Sequence, residues 1–358
     1  MESFNLLRKI ITSVVAPIGA ATALYAHSPW VPDTVALGPT FENLTIPLPS
    51  DHNTPCTIIR ATRDADSRHA AGVLYIHGFN DYFFQAEMAD SFANHGIAFY
   101  AVDLQRYGRS LRPGQMHCDC RHGLDEYFPA IDTALSVMQQ SGVKVITLMG
   151  HSTGGLIASY YMAKNPGSPV ANLVLNSPFL AWNLGKLNRL MPIVSALGAI
   201  APGLKFSQGE SDAYAYSLLA SHHGRWKYNE SWKLVHSPDV TAGWLRSITR
   251  AQNYLKNHPG CIKVPTLLMT SQRAFYGSQW EPAADSADAV LNPPELRKIG
   301  ITLASDGVTN VVVNGGLHDL MLSRPAVTRP LYRFLFSWIK EQDISFVKNG
   351  FKNVNGKP

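Results

Sequence analysis

Gly150-His151-Ser152-Thr153-Gly154-Gly155 sets a serine among glycines directly after a β-branched, apolar run at residues 143–149. The pattern predicts a strand ending at Met149, a sharp turn carrying Ser152, and a helix opening near Thr153. Gly150 and Gly154 remove side chains that would collide where the strand folds back on the helix. The helix start brings backbone N–H groups and the positive end of its dipole beside the serine, where an oxyanion would form.

A serine hydroxyl is a weak nucleophile at neutral pH. It needs a base to take its proton and a third group to hold that base. In a strand–turn–helix of this kind the partners follow in the chain order serine, acid, histidine. Of the 13 histidines, His318 is singled out by its place after the last strand-like run, behind Gly315 and Gly316. The acid belongs between the run ending near Met269 and the run starting near Asn310; Glu281, Asp285, Asp288, Glu295 and, less centrally, Asp306 lie there. Position alone does not separate Asp285 from Asp288. The oxyanion requires two N–H donors, and these are expected from Thr153 and from Phe79 in the loop His77-Gly78-Phe79-Asn80-Asp81. His77 precedes the nucleophile and is read as structural. His117-Cys118-Asp119-Cys120-Arg121-His122 crowds ligand types into six residues, too tightly for the paired spacing of a zinc site, and reads as an exposed loop. His222-His223 reads as surface.

These groups need a scaffold. Apolar runs at 44–48, 56–60, 72–76, 97–102, 143–149, 170–175, 264–269 and 310–313 read as strands, with helical stretches at 84–94, 124–140, 152–164 and 326–340. Continuous apolar runs suit strands buried on both faces of a mostly parallel sheet, and their alternation with helices predicts an α/β fold with helices on both faces. The alternation lapses at 180–258, where Trp182, Trp226, Trp232 and Trp244 fall in a mainly helical pattern; this reads as an inserted helical lid. The core is therefore expected at 30–179 and 259–341, with a flexible tail at 342–358.

With 46% hydrophobic and 16% charged residues the composition is that of a globular chain, and a net charge of +5 without a dense basic stripe argues against nucleic acid as a partner. Four cysteines are too few for a disulfide scaffold. Arg8 and Lys9 precede an apolar stretch at 10–26, so residues 1–29 read as a signal-like or membrane-associating segment, with an apolar helix lying on the domain as the alternative. A secreted or membrane-associated protein with peripheral membrane contact is the corresponding expectation.

Together the blocks resemble the monoacylglycerol lipase-like, or serine aminopeptidase-like, branch of the α/β-hydrolases. Val73-Leu74-Tyr75-Ile76-His77-Gly78 resembles its oxyanion strand and loop, Asp103-Leu104-Gln105-Arg106-Tyr107-Gly108-Arg109-Ser110 its D-x-x-G-x-G-x-S block, residues 150–155 its nucleophile elbow, and Gly316-Leu317-His318 its histidine loop. The resemblance implies a Ser-Ala-Asp acid segment some thirty residues before the histidine. Ser286-Ala287-Asp288 stands there, which favours Asp288 with Asp285 as the alternative. Two departures stand out. Arg106 occupies a usual glycine position, which predicts a differently shaped loop, and residues 271–285 delay the acid.

The implied protein is a serine hydrolase of carboxylic esters, lipase- or esterase-like, with a Ser152–His318–Asp288 triad, no metal or organic cofactor, and a hydrophobic small-molecule ester as its partner. An acyltransferase, thioesterase or lactonase would use the same triad, and a non-catalytic binding protein of this fold is the reading from another class.

Overall fold

The apolar runs form the middle of one sheet. The computed structural model describes residues 29–48, 51–65 and 69–355; the apolar segment at 10–26 lies outside them. The strands are β1 (Val31–Asp33), β2 (Gly38–Leu48), β3 (Asp51–Ala61), β4 (Ala71–Ile76), β5 (Ala98–Asp103), β6 (Val145–His151) and β7 (Val170–Asn176). A separate two-stranded pair, β8 (Lys205–Phe206) and β9 (Val240–Thr241), lies in the stretch read as lid, and β10 (Thr266–Ser271) and β11 (Val308–Val313) complete the main sheet. Its order is β1-β2-β3-β5-β4-β6-β7-β10-β11. The β1–β2, β2–β3 and β3–β5 pairs are antiparallel, and every neighbour from β5 to β11 is parallel.

Side chains alternate between the two faces of a strand. Leu74 and Ile76 of β4 join one core cluster, with Leu148 of β6 and Leu173 of β7; Val73 and Tyr75 join the other, with Met149 and Val174. Both faces are therefore covered, as the unbroken apolar runs require. On the first face lie α2 (Phe128–Gln140) and α3 (Thr153–Lys164). On the second lie α1 (Ala86–Ala93) and the C-terminal α8 (Pro325–Asn355). That last helix continues well beyond residue 340, through most of the stretch expected to be a flexible tail.

The stretch at 180–258 holds α4 (Met191–Ile200), α5 (Ala213–Leu218) and α6 (Ala242–Asn257). Only part of it stands apart from the core. Trp244, Ile248, Ala251 and Leu255 of α6 belong to the same cluster as Leu148 and Leu173. Burying a side chain the size of Ile248 or Leu255 contributes about 1.5–3 kcal/mol, so this row decides where α6 docks. A further short helix, α7 (Pro293–Gly300), follows β10, and the sequence pattern did not predict it. No helix among the described residues is long and apolar enough to cross a membrane.

The 117–122 loop is not the exposed one expected. Cys118 and Cys120 are buried, because an unoxidised cysteine behaves as a small hydrophobe. Arg106 takes φ +67°, the left-handed conformation that favours glycine, while its guanidinium pairs with Glu126 at 2.7 Å. The backbone thus keeps a glycine-like turn in spite of the side chain.

Gly198 brings α4 against α6. A Cβ there would lie 2.2 Å from the Ala242 carbonyl oxygen, so the helices must part to admit one. Gly198→Ala is expected to lower stability by about 1–3 kcal/mol in urea unfolding; an unchanged midpoint would contradict the close approach.

Candidate active site

Ser152 sits between β6 and α3 with φ +52° and ψ −119°, a conformation that non-glycine residues rarely adopt. Three backbone bonds hold it there. Its N–H donates to the Asn176 carbonyl at 3.0 Å, and its carbonyl accepts from Phe179 at 2.9 Å and from Leu156 at 3.1 Å. The flanking glycine is required by contact: a Cβ on Gly154 would lie 2.3 Å from the His77 carbonyl oxygen.

His318 lies in the loop after β11. Its Nε2 accepts from Ser152 Oγ at 2.9 Å, and its Nδ1–H donates to Asp288 Oδ2 at 2.9 Å. The other oxygen, Asp288 Oδ1, accepts the amides of Val290 at 2.9 Å and Leu291 at 2.8 Å, which fix the plane of the carboxylate. Ser152, His318 and Asp288 are all buried. The delay before the acid is a closed excursion of the chain. Asp288 pairs with Ala274, its N–H donating to the Arg273 carbonyl and its carbonyl accepting from Phe275, so the acid arrives three residues beyond the end of β10.

The other carboxylates face elsewhere. Asp285 accepts from Trp280 Nε1 at 2.8 Å and pairs with Arg324 at 2.7 Å. Glu295 pairs with Lys298 on the surface, and Glu281 and Asp306 are exposed. Phe79 and Thr153 both line the cavity that Ser152 and His318 border, a space of about 300 Å³. Gly78 lets the Phe79 loop approach, since a Cβ on it would touch Ser152 Cβ at 3.1 Å. His77 pins this loop: its Nδ1–H donates to the Gly78 carbonyl at 2.8 Å, and its Nε2 accepts from Leu104 N at 3.0 Å. Burial pushes its pKa down, in keeping with a neutral clip.

One wall of the cavity is aromatic. Phe79 contacts Trp244, Trp244 contacts Trp182, and Trp182 contacts Phe179. Another is polar and was not foreseen from sequence. Asp81 and Lys233 form a buried ion pair at 2.9 Å, beside Tyr214 and Tyr228. Asp81, His151 and Asp319 are, among the described residues, the one group of His, Cys, Asp or Glu side chains close enough to share an ion, and the Lys233 ammonium already supplies a cation to Asp81. Asp319 instead accepts from Asn176 Nδ2 at 2.7 Å and from the Met321 amide at 3.0 Å. Its position next to His318 was the only sequence signal for it. His222 and His223 are exposed and stack on Tyr216 and Trp280.

The sheet order and the strand–serine–helix elbow define the α/β-hydrolase fold. The chain superimposes on the Paleococcus ferrophilus monoacylglycerol lipase with a TM-score of 0.57 at 17% identity, covering 76% of this chain and 95% of that one. A soluble variant of monoglyceride lipase from Saccharomyces cerevisiae gives 0.57 at 15% identity, with 81% and 93% covered. Residues 67–324 match the model of the serine aminopeptidase S33 family, and the chain belongs to that family of hydrolases. In sequence it is 31% identical over 114 residues to the AB hydrolase superfamily protein YisY of Bacillus subtilis, a stretch covering 31% of this chain and 39% of that protein. It is 24% identical over 212 residues to a monoacylglycerol lipase of Mycolicibacterium smegmatis, covering 58% and 71%.

His151 carries a stability consequence. Burial pulls its pKa from the ordinary 6.5 down to about 4. Above the ordinary value the imidazole is neutral both folded and unfolded. As pH falls from there towards the folded value, the unfolded chain takes up a proton that the folded chain does not, and about 3 kcal/mol of stability is lost. In urea unfolding, His151→Gln is therefore expected to lose less stability on acidification from about pH 7 to about pH 4.5 than the wild type; equal losses would contradict the assignment.

Proposed function

We propose that the protein hydrolyses carboxylic esters through an acyl-enzyme on Ser152. Ser152 Oγ attacks the ester carbonyl while His318 Nε2 takes its proton. Asp288 orients His318 and stabilises the imidazolium. The amides of Phe79 and Thr153 receive the oxyanion. His318 returns the proton to the leaving alcohol. Water then attacks the acyl-enzyme with His318 again as base, releasing the acid and restoring Ser152. The hydrogen-bonded line from Ser152 Oγ through His318 to Asp288, open to one cavity, carries this reading.

The aromatic wall supports an apolar acyl group, and the names of the lipase relatives point the same way. The segment at 180–241, which contributes Trp182, Leu184 and Tyr214 to the cavity, serves as the lid. Leu190, Ile193, Ile200 and Leu204 are exposed along and beside α4, with Leu184 at the cavity. This row would meet an apolar substrate surface, such as a lipid layer, and leave the cavity facing it.

Ser152→Ala is expected to abolish turnover of p-nitrophenyl esters and labelling by a fluorophosphonate probe. Asp288→Asn should lower kcat by about 10³–10⁴-fold. Asp285→Asn keeps an amide oxygen for Trp280 Nε1, loses only the ion pair with the exposed Arg324, and should leave kcat within about twofold. Full activity in Ser152→Ala would sink the mechanism, and the opposite ranking of the two aspartates would move the acid. For the lid surface, Ile193→Asp with Ile200→Asp should slow hydrolysis of a long-chain ester held in vesicles and spare a soluble short-chain ester. Equal effects on both substrates would reject the surface role.

A further inference from the structure

We propose that Asn80 is a positioning residue, through which the lid segment holds the Phe79 oxyanion donor in place. This rests on the serine-hydrolase reading above. Asn80 follows Phe79 directly and takes φ +50°, a left-handed conformation in which an L side chain is strained. Both ends of its amide go to one lid residue: Nδ2–H donates to the Leu234 carbonyl at 2.8 Å, and Oδ1 accepts the Leu234 N–H at 2.9 Å. Paired this way, the side chain acts as a strand partner and fixes both the distance and the direction of the loop.

The neighbours reinforce the clamp. Asp81 pairs with Lys233, and Tyr82 Oη accepts the Asn229 N–H at 2.7 Å. Phe79 itself packs on Trp244, with ring centroids 4.8 Å apart. Four consecutive loop residues, 79–82, are thus held by lid residues 229–234 and α6. On its other side the loop is held by the core, through the His77 clip. A donor stabilises an oxyanion only if it is already aimed when charge develops. With the contacts to residues 229–234 absent, the loop keeps the His77 clip and the Phe79–Trp244 packing but loses the polar bonds through Asn80, Asp81 and Tyr82 that fix its direction. The lid then does more than cover the cavity: its seating completes the site.

Asn80→Gly removes both bonds while tolerating the positive φ, which separates clamping from strain. Asn80→Asp keeps the acceptor to the Leu234 N–H and places an oxygen against the Leu234 carbonyl. Kinetics on a soluble p-nitrophenyl ester and the inhibition constant of an alkyl trifluoromethyl ketone, which mimics the tetrahedral intermediate, read the effect. For Asn80→Gly, kcat should fall about 10–100-fold with KM within about threefold. The ketone should weaken in proportion to kcat/KM while thermal unfolding stays cooperative, and Asn80→Asp should lie between this variant and the wild type. If Asn80→Gly does not fold, Asn80→Asp alone must show the kcat and ketone losses together. Turnover within twofold of wild type, or a rise in KM with kcat unchanged, would overturn the proposal. Failure of a fluorophosphonate to label Ser152 in the wild type is a separate result: it would remove the hydrolase reading, and this one with it.

Discussion

Asn176, the last residue of β7, joins the two halves of the site. Its carbonyl accepts from Ser152 N–H and from His151 Nδ1–H, which holds the elbow. Its side chain donates to Asp319 Oδ1 and accepts the Leu320 N–H, which holds the loop after His318. Ser152 and His318 come from distant parts of the chain, yet one residue is bonded to both of their loops. The Ser152–His318 bond joins the same two loops, and a positive φ at Ser152 is tolerable because the surrounding bonds over-determine it.

The parallel sheet makes such a junction feasible. Strands that run the same way end at one edge, and the residues just past those ends converge. Gly78 and Phe79 follow β4, Ser152 follows β6, Asn176 closes β7, Asp288 pairs just past β10, and His318 follows β11. The buried runs behind this edge thus serve two ends. Covered on both faces, they supply the apolar burial that stabilises the fold, and they fix the frame against which hydrogen bonds of about 2.9 Å are set.

How much of this was legible in the sequence follows from the range of the interactions. The central strands are unbroken β-branched and apolar runs, and each was readable from its own residues. Ser152 and His318 were readable because glycines mark their turns locally. Asp288 needed a family spacing to separate it from Asp285, since the Val290 and Leu291 amides that hold it belong to loop geometry. Asn80, Asn176 and Lys233 left no local trace. Their partners lie 154, 143 and 152 residues away, and only the folded chain brings them together. The lapse of strand–helix alternation also drew α6 into the lid, although its buried row faces the sheet cluster.

The excursion between Ala274 and Asp288 separates the length of a loop from the placement of a functional group. Its two ends meet as backbone partners, so the carboxylate is anchored at the neck, while the tip at residues 276–280 carries an exposed Tyr276. The tip beyond that neck is turned to a second use: the Ser278 carbonyl accepts from Ser211 Oγ and from the Asp212 N–H, each at 3.0 Å, and Trp280 N–H donates to Asp212 Oδ1 at 2.8 Å, so one excursion fastens the Asp288 carboxylate at its base and the start of α5 at its end.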